Sequence, residues 1–169
     1  MEYFFNFDKM GYLTGNRPDG CILCRVRDGD GGVENLVVRE TEYFCVSVNL
    51  YPYNPGHVIV FPRRHLKDLR EFSRDEREDL DGVLDMTLSV LDATHHPAGY
   101  NIGVNMGHAA GASIEHIHYH VIPRYQREIG IAELMAGKRV LVEDPRATYE
   151  RLKKGFAAVP GASPQDSLP

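Results

Sequence analysis

The sequence predicts an α+β fold built on an antiparallel sheet. Five short stretches read as strands, by alternation of β-branched or aromatic with polar residues or by a short apolar run between turn signals, and one long segment repeats apolar residues at spacings of three and four. The two patterns do not follow each other as strand-helix-strand units, so a parallel sheet is not expected. Gly31 and Gly32 mark a turn before the first strand, over residues 36–39. A turn at 40–42 separates it from a second strand over 44–50. The run Tyr51-Pro52-Tyr53-Asn54-Pro55-Gly56 is rich in turn formers, and residues 57–61 after it read as a buried third strand closed by Pro62. Ser73 and Glu76 have the spacing of a capping box, in which hydroxyl and carboxylate each accept from an orphan backbone N–H. The helix they open carries Leu80, Val83, Leu84, Leu88 and Leu91 on one face and stops at His95-His96-Pro97. Strands over 100–104 and 116–122 follow, joined by a glycine-rich loop at 107–111. Asp144 and Pro145 supply a cap and an N1 proline for a short helix with Tyr149, Leu152 and Phe156 inward.

Length and composition bound the organisation. A chain of 169 residues with 43% hydrophobic content supplies one core, and a single domain over residues 1–159 is expected, with an N-terminal arm up to about Asp19. Residues 160–169, rich in Pro, Ser and Gly, read as a flexible tail. A net charge of −5 argues against broad nucleic-acid binding, which needs a basic footprint. No apolar run approaches the roughly 18 residues of a membrane span, and Met1-Glu2-Tyr3-Phe4-Phe5 has no signal-peptide pattern, so a cytoplasmic setting is expected. The pair Cys21-x-x-Cys24 suits reduced thiols or a metal better than a disulfide framework, and Cys45, in an apolar run, reads as core.

The chemistry concentrates in His116-Ile-His118-Tyr-His120. Side chains at i, i+2 and i+4 of a strand share one face, so the three imidazoles form a ladder. Grouping titratable rings this way is costly unless a metal or an anion uses them. Two chemistries fit. A metal centre of the β-barrel oxygenase kind would need a carboxylate as well, and Glu115 alternates to the wrong face. Alternatively one imidazole attacks phosphorus while neighbouring groups hold the phosphate oxygens. The preceding loop favours the second: its glycines permit close backbone approach, and Asn105 and Ser113 add neutral donors. Arg63, Arg64, Lys67 and Arg124 are candidates for a local positive field, whereas His95 and His96 read as structural and His108 as a solvated loop residue.

The run Ala110-Gly111-Ala112-Ser113 followed by His116-x-His118-x-His120 resembles the signature of the histidine triad (HIT) family of nucleotide hydrolases and transferases. The segment from Asn49 through Gly56-His57 to Pro62-Arg63-Arg64-His65 is similar to that family's earlier strand-turn-strand, closest to its diadenosine polyphosphate hydrolase and phosphorylase branch. The resemblance implies a sheet continued across a homodimer. It also implies His118 as the nucleophile towards the α-phosphate, His120 as a phosphate-binding and supporting group, and His57 beside them. Asn49 matches a ribose-binding position, and Asn105, Gly111 and Ser113 match the phosphate loop; Val48, Leu50 and residues near Phe44 would form the adenine pocket. The implied partner is an adenine nucleotide or dinucleoside polyphosphate, with no organic cofactor. Ala112 stands where the triphosphate-specialised branch carries Gln, which tilts the expectation towards tetraphosphates or phosphorolysis. In zinc-bearing relatives the remaining ligands match His65 and His116, so a closed, structural Cys₂His₂ zinc site with Cys21 and Cys24 is expected. A nucleoside phosphoramidase, a non-catalytic nucleotide-binding module and a metal-dependent oxygenase are the alternatives.

Overall fold

The computed structural model describes residues 20–126 and 143–159; the expected N-terminal arm and the tail at 160–169 lie outside them. In chain order the elements are α1 (Ile22–Arg27), β1 (Val37–Glu40), β2 (Phe44–Val48), β3 (Val58–Pro62), α2 (Arg74–His95), β4 (Gly99–Val104), β5 (Tyr119–Arg124) and α3 (Pro145–Ala157). Single 3₁₀ turns lie at Leu69–Glu71 and His108–Ala110. The strands form one antiparallel sheet in the order β1-β2-β3-β5-β4. The α+β expectation and the five strands are met.

Every residue of β2 and β3 is buried, because both faces of the sheet centre are covered. Phe44, Val46, Val58 and Val60 face the helical side, where they join Leu80, Val83, Leu91, Leu152 and Phe156 from α2 and α3. Cys45, Ile59 and Phe61 alternate to the other side and meet Leu23 and Val26 of α1. The two long helices approach closely at Gly155, where an added Cβ would lie 2.8 Å from Val90 Cγ1 and 2.9 Å from Thr94 Cγ2. Gly56 closes the β2–β3 turn with a φ of +77°, a conformation that L side chains rarely adopt.

α2 starts as its sequence requires. Ser73 Oγ accepts from the Glu76 N–H at 3.1 Å, and the Glu76 carboxylate accepts from the Ser73 N–H at 2.8 Å. Arg64 then donates to both carboxylate oxygens at 2.7 and 2.8 Å, so the buried anion is fully partnered. His96 ends the helix in the left-handed region, and the buried His95 contacts the Glu143 carboxylate at 3.3 Å, consistent with structural roles.

One expectation is corrected, and one element carries no clear sequence signal. α1 was not anticipated, since its six residues sit among polar ones and show no full helical period. β5 begins at Tyr119 rather than at His116: the Ile117 N–H donates to the Leu66 carbonyl beyond Pro62, so the chain leaves β3 at that point. His116 therefore precedes the strand, and the three histidines do not form one continuous ladder.

Glu76→Ala removes a cap and a buried, paired anion at once, and should cost about 2 kcal/mol in urea unfolding at neutral pH. Arg64 beside it, against the opposing effect of burial, holds the Glu76 carboxyl below its ordinary 4.5. The stabilisation is therefore complete above pH 4.5 and lost as pH falls through the lower folded value, so the gap between wild type and variant should close in acid.

Candidate functional site

His118 leaves the buried backbone just before β5 with its ring orientation fixed by hydrogen bonding. Its Nδ1 lies 2.8 Å from the carbonyl oxygen of His116. A carbonyl only accepts, so Nδ1 carries the proton and Nε2 keeps its lone pair. Burial holds the His118 pKa below the ordinary histidine value, partly opposed by that carbonyl, so the neutral ring persists to lower pH.

A second chain of hydrogen bonds sets His120. The Tyr53 backbone N–H donates to His57 Nδ1 at 3.0 Å, which makes Nδ1 an acceptor and places the proton of neutral His57 on Nε2. That nitrogen lies 3.0 Å from His120 Nδ1, so His120 accepts there and carries its own proton on Nε2. Tyr53 stacks on His57 with centroids 5.2 Å apart, and the His118 and His120 rings pack edge to face at 4.9 Å. One ring thus offers a lone pair and its neighbour a proton donor.

Both histidines line a cavity of about 300 Å³. Asn49, Asn105, Gly111 and Ser113 also line it, so these expected site residues are brought together. His57, fully buried, stands behind His120 and does not line the cavity. The phosphate-loop candidate folds on itself, with the Ala112 N–H donating to the Gly107 carbonyl and Gly111 at a φ of +89°. The Asn49 side-chain oxygen accepts from the Tyr51 N–H and its amide nitrogen lies against the His57 ring.

The floor of the cavity follows one row of the sheet. His120 pairs with Ile59 and Ile59 with Ser47, and all three line the cavity. Val48, Leu50, and Ile22, Leu23 and Val26 of α1 supply apolar walls, whereas Phe44 lies on the helical side of the sheet. The contribution of α1 was missed; the apolar positions Ile22, Leu23 and Val26 around the cysteine pair were its only trace in the sequence. Among the described residues, neither lysine nor arginine lines the cavity. Arg63, Arg64 and Lys67 pair with Glu40, Glu76 and Glu115, and Arg124 donates to Asn101. None of these four lines the cavity.

Behind the cavity, ligand atoms of Cys21, Cys24, His65 and His116 lie within 4.8 Å of one another, close enough to hold a metal ion. His116 Nδ1 is 3.4 Å from Cys21 Sγ and 3.6 Å from Cys24 Sγ, and His65 Nδ1 is 3.4 Å from Cys24 Sγ. His116 Nε2 donates to the Pro62 carbonyl at 2.9 Å, which leaves Nδ1 as the lone-pair nitrogen facing the thiols. Burial pushes the His116 pKa down to about 4 and the Cys24 thiol up to about 11. Near neutral pH Cys24 and His116 are therefore uncharged without a metal, and a cation would displace the Cys24 proton on binding.

A family model described as "HIT domain" matches residues 31–127. The chain is 34% identical over 128 residues to an AP-4-A phosphorylase of Mycobacterium tuberculosis, covering 75% of this chain and 66% of that protein, just under two thirds of its length. It is 29% identical over 132 residues to an adenosine 5'-monophosphoramidase of Schizosaccharomyces pombe, covering 78% of this chain and 95% of that protein. Among solved structures, a Zn-bound histidine triad family protein from Mycobacterium smegmatis shares the fold with a TM-score of 0.67, at 24% identity over 82% of this chain and 94% of that one. A matched domain covering more than half of the chain, and a cavity walled by His118 and His120, agree: this protein belongs to the histidine triad family.

Proposed function

We propose that this protein cleaves dinucleoside polyphosphates, such as diadenosine tetraphosphate, at the α-phosphate through a covalent nucleotidyl-histidine on His118. The observation that carries this reading is the His118 tautomer: a buried, neutral ring whose Nδ1–H is spent on the His116 carbonyl and whose Nε2 lone pair is available in a cavity. The names of the relatives, a phosphorylase and a phosphoramidase, agree with nucleotidyl transfer to and from nitrogen or oxygen.

In the first step Nε2 forms a bond to the α-phosphorus, and the bond from that phosphorus to the bridging oxygen breaks. The leaving polyphosphate departs with the bonding electrons, and the His120 Nε2–H is positioned to donate to an oxygen of the phosphate chain. In the second step water or inorganic phosphate attacks the phosphoramidate, loses its proton, and restores neutral His118. His57 serves as a positioning residue that fixes the His120 tautomer. Asn105, Ser113 and the backbone around Gly111 receive the phosphate oxygens, and Asn49 the ribose. Resemblance to the polyphosphate branch and the alanine at 112 favour tetraphosphate over triphosphate.

The metal assigned to the cysteine-histidine cluster is zinc. Tetrahedral Zn–S and Zn–N bonds place sulfur and nitrogen about 3.6 Å apart, and the Sγ to Nδ1 distances here are 3.4–3.6 Å. Four protein ligands leave no open position, so the ion contributes structure, holding α1 against the sheet. The assembly is a homodimer continuing the sheet past β4, which among the described strands has a neighbour on one side only and exposes Ile102. No described helix is long and apolar enough to cross a membrane, and a cytoplasmic setting would keep Cys21 and Cys24 reduced.

Mass-spectrometric product analysis of diadenosine tetraphosphate tests the reaction. ADP plus ATP formed only with added phosphate identifies a phosphorylase, AMP plus ATP without it a hydrolase, and no cleavage in either condition refutes the reading. His118→Ala should abolish turnover while nucleotide affinity stays within a few-fold, as measured by calorimetry; a variant as active as wild type would end the covalent mechanism. With the His118 pKa lowered, its neutral form persists below pH 6.5, so the acid limb of single-turnover rates should fall below that value. Cobalt substitution should give one tetrahedral ion per chain with thiolate charge-transfer bands, and Cys24→Ser should remove them.

A further inference from the structure

The cavity extends past the histidines to the outer edge of the sheet, and its two ends differ in chemistry. Among the described residues that line it, Glu34 is the single Asp, Glu, Lys or Arg. A carboxylate in a site for a polyanion is unfavourable unless it sits away from the phosphates. The sheet register supplies that separation. From His120 the floor runs through Ile59 to Ser47, and β1, whose Val37 pairs with Ser47, lies three strand spacings of about 4.8 Å, or on the order of 14 Å, from His120. Glu34 lies on the segment that leads into β1, the strand at that far end. Between the two ends the cavity is walled by Leu23, Val26 and Ile59, apolar surface suited to the faces of a planar ring.

We propose that Glu34 is a specificity-determining residue that accepts a hydrogen bond from the exocyclic amine of a bound purine, so that the site selects adenine over a purine lacking that amine. This rests on the reading of the cavity as a nucleotide site. A carboxylate can only accept, so its complement must present N–H groups, and the amine is the edge of adenine that does so. The carboxylate is held in place from two directions. Arg146 at the start of α3 donates Nε to one oxygen at 3.0 Å and Nη2 to the other at 3.4 Å, leaving each oxygen a further acceptor site. The turn that carries Glu34 is tied to α1 by the Asn35 amide, which donates to the Val26 carbonyl, and to β1 by the Asn35 side-chain oxygen, which accepts from the Val37 N–H. The ion pair itself is solvent-facing, and such pairs add little stability, so a purely fastening role would leave ligand choice unaffected.

Calorimetric titration of the full chain with AMP and with purine riboside 5′-monophosphate, which lacks only the amine, tests the assignment. Wild type should bind AMP about tenfold more tightly, the span of one charge-assisted hydrogen bond. In Glu34→Ala the two ligands should bind alike, at the wild-type affinity for the analogue, with the unfolding temperature unchanged. Equal affinity of wild type for both ligands, or a preference that survives in Glu34→Ala, overturns the role of Glu34 while the nucleotide site stands. Binding of neither ligand by wild type overturns both readings.

Discussion

The pairing of β5 with β3 sets Ile59 opposite His120, and the geometry around the cavity follows from that register. Val58, Val60 and Val121 are fully buried on the helical side, and a slip of β5 by one residue would turn Tyr119, Val121 and Pro123 outward while driving His120 into the core. The loss of several buried side chains, each contributing on the order of 2 kcal/mol, far exceeds any single polar contact in the site. Hydrophobic burial on one face thus fixes hydrogen bonding on the other. The 3.0 Å contact between His57 and His120, from neighbouring strands, exists because that register is not negotiable.

His116 joins two otherwise separate structures. Its carbonyl orients the His118 ring, and its own ring faces the cysteine pair while donating to Pro62. The cysteines sit at the start of α1, whose apolar side walls the cavity. A peptide unit and a short helix therefore connect the metal-binding cluster to the histidine edge of the cavity and to its apolar wall.

Local signals carried far where they were strong. The capping box at Ser73 and the apolar stripe from Leu80 to Leu91 placed α2, and turn chemistry separated β2 from β3. The order of the strands, β5 between β3 and β4, has no local signature, because it depends on which apolar faces bury each other. The histidines were legible as a group, but not their division: a strand periodicity assumed at His116 fails where Ile117 bonds to Leu66 instead of to β3. Basic residues near the motif suggested a cationic field, yet Arg64 serves the buried Glu76 and Lys67 an exposed Glu115. Sequence proximity does not tell whether a charge turns towards a cavity or towards a local partner.

Among the described residues the cavity lining holds no lysine or arginine, which bears on how a ligand arrives. With a net charge of −5 and no lysine or arginine among the described residues of the lining, a polyphosphate meets mild repulsion rather than attraction there. Capture then depends on short-range, directional hydrogen bonds formed after encounter, and residence time rather than collision frequency becomes the quantity on which selectivity acts. Added salt screens the repulsion, so association should slightly quicken with ionic strength, opposite to sites that steer phosphates with arginine.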